Sequence, residues 1–357
     1  MEPTLKPDEN NKRDALRKNK PRVYEKVMDF DAKVKRGESI AIIQFQYDYR
    51  CNFRCEHCSI KHFQGKRDAR FFTLDDVREL SRQADELGLA NFVITGGEPL
   101  TFPDFDQLVE AIDPNRFYLV SDTNGWFLDE ARAKHLKSIG LDKIQLSLDS
   151  LNPEEHDSFR HAPGAHARAL RAIDASLEAG LNIILSTVVT HDRIRSEEFV
   201  EFLEFAKEKG VGTFVTYAKP VGAWEGKFDN LVTREDMAYM KNVLEKKYNV
   251  FTHLTPSYGL DLGCIAVKRM VSVTKYGDVM PCPYMQASIG NFFEEPLADI
   301  IRRGMNIKWF GKHVDTCLVA ESRYWIDKYL VPTYGRQLPV KIEELYGPED
   351  MISPEGH

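Results

Sequence analysis

The chain has 357 residues, 43% hydrophobic and 29% charged, the balance of a soluble globular protein with room for one large domain plus an appendage or for two domains. No apolar run reaches the roughly 18 residues of a membrane span, and "MEPTLKPDENNKRDALRKNKPR" lacks a secretory apolar core, so no membrane association and a cytoplasmic location are expected. A net charge of -7 argues against nucleic acid as a partner, and six cysteines in a reducing compartment point to metal or redox chemistry rather than disulfides.

Residues 1–38 are polar and read as a frayed or weakly helical extension. Strands are expected at 40–47, 91–97, 116–122, 143–149, 182–190 and 212–218. Helices are expected between and after them, at 73–88 (Thr73 as N-cap, Asp76 three residues on), 104–112, 128–139, 165–179 and 196–209. Six strand–helix units imply a parallel sheet with right-handed crossovers. Eight units would make a full barrel, but the alternation stops after Tyr217, so the fold class expected is α/β, a partial (β/α)6 TIM-like barrel. A helix at 233–247, a Gly-punctuated β-like stretch at 264–282 and a short helix near 296–304 then suggest a small α+β extension, followed by a Tyr-rich tail. The boundaries expected are 1–38 for the N-terminal extension, 39–230 for the barrel, 231–330 for the C-terminal extension and 331–357 for the tail.

Cys51, Cys55 and Cys58 fall in the loop after the first strand, at the mouth where parallel α/β folds place their chemistry. Structural zinc wants four ligands, and His57 or His62 could complete the set, although the gaps suit no common zinc signature. A cubic iron–sulfur cluster held by three thiolates keeps one iron open. The spacing favours the cluster and leaves zinc as the alternative.

The motifs then resemble a family. "CNFRCEHC" (51–58) after the first strand, "TGGEPL" (95–100) closing the second, "SDTNG" (121–125) closing the third and "QLSLD" (145–149) closing the fourth are similar, in this order, to the radical S-adenosylmethionine (radical SAM) enzymes. The resemblance covers about residues 40–218, including "FRHAPGAHARALRAIDASLEAGL" (159–181). It implies a [4Fe-4S] cluster on Cys51, Cys55 and Cys58 whose open iron is chelated by S-adenosylmethionine. Around that cosubstrate it implies close backbone approach at Gly96 and Gly97, acceptance from the amine by Glu98, Ser147 and Asp149 near the ribose, Arg160 on the carboxylate and His57 against the adenine. His191 departs from the pattern, because many relatives carry Asn there; that leaves it and nearby Ser186 and Thr187 without an assigned role.

Cys264, Cys282 and Cys317 form a second set. The C-x12-G-x4-C run from Cys264 to Cys282, with Gly277 at a hairpin turn, and "IGNFFEEPLADI" (289–300) resemble the SPASM or Twitch extension, which implies one auxiliary [4Fe-4S] cluster. Two buried cysteines in a hairpin are the plain alternative. The chain lacks the family's terminal cysteine-rich run, so a fourth ligand would be of another type, with His313, Asp315 and Glu321 nearest in sequence.

The resemblance implies an oxidoreductase. An electron from a flavodoxin or ferredoxin enters through the first cluster, and a 5′-deoxyadenosyl radical takes hydrogen from a substrate that enters the half-open barrel from below, the C-terminal extension acting as a cap. With all six thiols committed to clusters, none returns a hydrogen atom, which favours oxidation or bond formation over epimerisation. The polar extension is too short for a leader-binding domain of about 80 residues, favouring a small-molecule over a peptide substrate. A zinc-stabilised interaction module and a non-catalytic electron carrier are the readings outside enzymes.

Overall fold

The structure, a computed structural model, describes residues 7–63 and 69–352. It begins with helices α1 (Pro7–Asn19) and α2 (Pro21–Lys35). Where the sequence suggests a frayed extension, α2 buries Val23, Val27 and Phe30. Lys26 donates to the carbonyls of Leu89 (2.9 Å) and Arg116 (2.7 Å) and pairs with Asp85 at 2.6 Å, while Lys20 donates to the Phe117 carbonyl at 2.9 Å. These carbonyls belong to the loops entering the second and third strands. The helices therefore cover the lower rim of the barrel, the side expected to stand open to substrate. Composition misled because a helix anchored by lysine stems and three buried apolar side chains looks polar in sequence.

The barrel follows as β1 (Ile42–Asp48), α3 (Leu74–Glu86), β2 (Asn91–Gly96), α4 (Phe105–Ile112), β3 (Tyr118–Thr123), α5 (Glu130–Ser138) and β4 (Lys143–Ser147). It continues with α6 (Pro153–Arg160), α7 (Ala165–Glu178), β5 (Asn182–Val189), α8 (Glu197–Glu208) and β6 (Gly212–Tyr217). Thr73 and Asp76 cap α3 reciprocally, as their spacing predicts. Helix α6 was not among the expected elements, although Asn152 caps it and Pro153 opens it; it ends in Arg160. Each strand from β1 to β6 pairs in parallel with the next. Apolar faces of the helices, including Leu80, Leu108, Leu136, Ile173 and Phe202, bury against the outside of this sheet.

One more parallel strand, β7 (Val250–Thr252), follows helix α9 (Arg234–Tyr239) and joins β6. Three residues are too few to show a period. At the other edge, β8 (Met270–Val273) pairs in parallel with β1, and β9 (Asp278–Met280) returns antiparallel through the Gly277 turn. The C-terminal extension is thus built onto the barrel's own sheet. The sheet runs from Gly290–Asn291 through β9, β8 and β1 to β7, and its two ends do not pair with each other among the described residues.

Residues 331–352 belong to this extension rather than to a tail. Val340–Lys341 pairs in parallel with Ala287–Ser288, Tyr346 stacks on Tyr329 at 4.4 Å, and Tyr334 donates to the Pro220 carbonyl at 2.6 Å. Among the described residues no helix is long and apolar enough to cross a membrane.

Candidate functional site

The loop leaving β1 is clamped by the turn leaving β2. Gly97 N–H donates to the Asp48 carbonyl and Glu98 N–H to the Arg50 carbonyl, both at 2.8 Å. A Cβ on Gly96, whose φ is +128°, would lie 2.1 Å from Asp48 O, and one on Gly97 would lie 1.9 Å from Arg50 O. Only glycines allow this approach. The sequence suggested that these glycines admit a cosubstrate; in the structure they first admit the cysteine loop. A third glycine, Gly222, does the same on the far side, where Ala223 N–H donates to the Cys58 carbonyl at 2.9 Å and a Cβ on Gly222 would lie 2.2 Å from that oxygen.

Glu98 is 1% exposed. It accepts from Thr123 Oγ1 (2.6 Å), Asn124 N–H (2.7 Å) and Leu100 N–H (3.1 Å), tying the ends of β2 and β3 together. Burial raises its carboxyl to about 7 against the pull of these donors. Asn124 also reaches Asn52 inside the cysteine loop, at 2.9 Å.

Ser147 lines the central cavity, but Asp149 does not. The strand ends at Ser147, so the two-residue alternation lapses there and the two side chains part. Asp149 instead accepts from Arg160 Nε at 2.7 Å and from Val188 N–H at 3.2 Å, and Arg160 Nη1 lies 3.6 Å from Cys55 Sγ. Burial opposes the charge on Asp149, yet Arg160 holds it down at about 2. The guanidinium is thus aimed at the cysteine loop by a buried carboxylate.

His57 stacks on Phe159 with ring centroids 4.6 Å apart and faces Trp224 at 5.9 Å. Burial, reinforced by Arg160, brings its pKa to about 3, so the imidazole is neutral. His57 Nδ1 and Trp224 Nε1 are both buried without a hydrogen-bond partner, and both residues line the cavity beside the three thiols. His191 lies elsewhere, paired with Asp236 at 2.6 Å on the surface.

Cys264, Cys282 and Cys317, separated by up to 53 positions, come together at the other end of the cavity, where the charges of all three act on Lys219. Burial pushes Cys282 and Cys317 up to about 12. Thiolates there need a cationic counter-group, which an iron–sulfur core supplies. Of the candidates for a further ligand, His313 lies at the surface 3.6 Å from Asp261, whereas Glu321 accepts from the Cys317 N–H at 2.6 Å and stays beside the trio. Among the described residues no three Cys, His, Asp or Glu side chains are gathered tightly enough to share one ion. A cubane sends each thiolate to a different corner, so wider sets suit it. Together with the orphaned polar atoms at the first trio, the donor chemistry fits a cluster at each end and a polar ligand at the first.

One cavity of about 1660 Å³ joins both trios through the barrel. Asp122, Lys219 and Tyr284 on its wall escaped sequence reasoning: Asp122 sits inside a motif, but Lys219 and Tyr284 follow strands and turns that carry no motif. Lys219 Nζ donates to the Tyr217 carbonyl at 2.8 Å and lies 4.2 Å from the Tyr284 ring centre.

Residues 48–213 match the family model described as the radical SAM superfamily, and residues 264–320 match an iron–sulfur cluster-binding domain, SPASM. A GTP 3′,8-cyclase of Nautilia profundicola is 33% identical over 218 residues, covering 60% of this chain and 66% of that protein. An AdoMet-dependent heme synthase of Nitratidesulfovibrio vulgaris is 22% identical over 298 residues, covering 75% of this chain and 80% of that protein. Among solved structures, Streptococcus suis SuiB bound to the precursor peptide SuiA shares the fold with a TM-score of 0.59 at 19% identity, over 78% of this chain and 69% of that one. Native anSMEcpe with bound AdoMet does so at 0.58 and 18% identity, over 79% and 91%.

Proposed function

This chain belongs to the radical SAM superfamily and carries a SPASM-type iron–sulfur extension, and from that premise we propose that it is an oxidoreductase in which Cys51, Cys55 and Cys58 hold the S-adenosylmethionine-binding [4Fe-4S] cluster. Held by these thiolates, the cluster would supply the one-electron reduction that splits S-adenosylmethionine into methionine and a 5′-deoxyadenosyl radical able to take hydrogen from substrate.

The chain's own residues hold and shield the reacting groups. The turn at Gly96 and Gly97 fixes the cysteine loop, and Glu98 keeps a free lone pair for the cosubstrate's amine beside its three internal donors. Arg160, aimed by Asp149, faces the cosubstrate's carboxylate; Ser147 lies at the ribose, and His57 and Trp224 offer ring faces and ring nitrogens at its base. Below, α1 and α2 exclude water from the barrel, as a reactive carbon radical requires.

Cys264, Cys282 and Cys317 hold the auxiliary [4Fe-4S] cluster in this reading, with Glu321 the side chain best placed for a further ligand. An auxiliary cluster held there would supply an acceptor for the second substrate electron, which favours oxidation or bond formation on a small molecule. The two relatives described above, a GTP cyclase and a heme synthase, are named for small-molecule chemistry, which supports this reading. A flavodoxin or ferredoxin is the electron donor. The observation that carries the proposal is the single cavity reached by both trios.

Anaerobic reconstitution with dithionite and S-adenosylmethionine tests it. About eight irons per chain are expected, from two cubic clusters, together with 5′-deoxyadenosine. Replacing Cys51, Cys55 and Cys58 by Ala should leave about four irons and no nucleoside; nucleoside formation by that variant would refute the assignment.

A further inference from the structure

Barrels of parallel strands are ordinarily filled by branched apolar side chains. Here a belt of polar side chains interrupts the apolar inner wall. The register sets Gln46 beside Thr95 across β1 and β2 and Asp122 beside Gln145 across β3 and β4, and all four line the cavity. Gln46 Nε2 donates to Ser272 Oγ at 2.9 Å, carrying the polar belt onto β8. Three acceptor atoms on this arc, Gln44 Oε1, Gln46 Oε1 and Asp122 Oδ1, are buried with no hydrogen-bond partner, and Gln46 as a whole is 2% exposed. Turning either amide would exchange its oxygen for a nitrogen, but a carboxyl that ionises against a bound ammonium only accepts. Thr95 and Gln44 also bond to the Asp122 carboxyl, and Glu98 and Lys143 act on it with opposite signs.

A second arc, where the end of β7 comes round towards β8, holds two cationic donors, Lys219 and Arg269, beside the neutral His253 imidazole, which donates in one tautomer. Lys219, His253 and Arg269 line the same cavity, and the charges of Lys219 and Arg269 both act on His253. His253 Nε2 and Arg269 Nε are buried without partners. Tyr284, within the field of Asp122 and under Lys219, stands between the arcs. Buried polar atoms left unpaired are costly, and the two whose roles are fixed once Asp122 is ionised, the Asp122 Oδ1 acceptor and the Arg269 Nε donor, stand on different arcs and suit opposite ends of one ligand.

We propose that the cavity takes a small zwitterionic substrate, its protonated nitrogen on Asp122, Gln44 and Gln46 and its oxyanion on Lys219, His253 and Arg269. This deepens the radical-enzyme reading and rests on it for what happens to the bound molecule. The two ends would fix the molecule along the axis between the trios, so that one carbon faces the radical and the other end approaches the auxiliary thiols.

The test uses the reconstituted holoenzyme with S-adenosylmethionine and a defined library: free amino acids and aminoalkyl phosphates, each paired with its N-acetyl form and its ester. Anaerobic ultrafiltration with mass spectrometry measures retention. Parents carrying both charges should be enriched, and blocking either end should cost at least about tenfold, the weight of one charged hydrogen bond. Asp122→Asn should abolish discrimination against the N-acetyl forms, and Arg269→Gln discrimination against the esters, with iron per chain reporting folding. Gln46→Leu and His253→Gln repeat the measurement if the first pair does not fold. Enrichment of blocked forms equal to their parents, no enrichment of any member, or unchanged discrimination in the variants would overturn the proposal. The spectral response of the first cluster to S-adenosylmethionine is read separately. Its loss with zwitterion binding intact would sink the radical reading alone; its persistence without zwitterion binding would sink this one alone.

Discussion

A methyl group on Gly97 would meet the Arg50 carbonyl at 1.9 Å, and backbone cannot yield as a flexible side chain does. Gly97→Ala should therefore displace the first cysteine loop and lower iron by about four atoms per chain, measured by iron assay, while the second trio keeps its share. Asp122 offers a test in pH. Burial raises its carboxyl to about 7, above its ordinary value of 3.8, so between those limits the folded state binds more protons than the unfolded chain. Stability is then fully present below the lower limit and falls as pH rises, by up to about 1.4 kcal/mol per pH unit. Urea unfolding from pH 4 to 8 should show this slope, shallower in Asp122→Asn by the share that Asp122 contributes; equal slopes would assign the effect elsewhere, for instance to Glu98, which burial raises to the same value. Asp122 was visible in sequence only as part of a motif, since nothing local tells a strand residue that one oxygen of its carboxylate will lack a partner.

At the scale of elements, helix α2 gives the clearest contrast. Its lysines anchor it by reaching carbonyls and a carboxylate more than fifty residues away, a relation no window of sequence contains. Lys26 and Asp85 are 8% and 7% exposed at their side chains. Asp85→Ala leaves that buried ammonium with two carbonyls and no counter-charge, with an expected loss of about 3 kcal/mol, read as a fall in the urea midpoint; a change within about 0.5 kcal/mol would mean that solvent reaches Lys26. The barrel strands and their helices, by contrast, were legible because each is long enough to show its period and its caps. The three-residue β7 was not, and helix α6 was not expected although Asn152 caps it and Pro153 opens it.

Across the whole molecule, two thiol trios drawn from distant parts of the chain open into one cavity. Replacing Cys264, Cys282 and Cys317 together by Ala should leave about four irons and leave 5′-deoxyadenosine formation in place; loss of the nucleoside would mean that the two ends do not act separately. The sequence by itself determined the alternation of strands and helices, the loop that bears the first thiols and the glycines that follow, because each is written in spacing along a few neighbouring residues. Only the tertiary structure decided that the N-terminal helices cover the lower rim, that Asp149 serves Arg160 rather than the cavity, and that residues 331–352 complete the extension. It also decided that donors and acceptors face the interior in separate arcs. Those outcomes depend on which side chains meet after the sheet curls, and contact across the curl has no period in the chain.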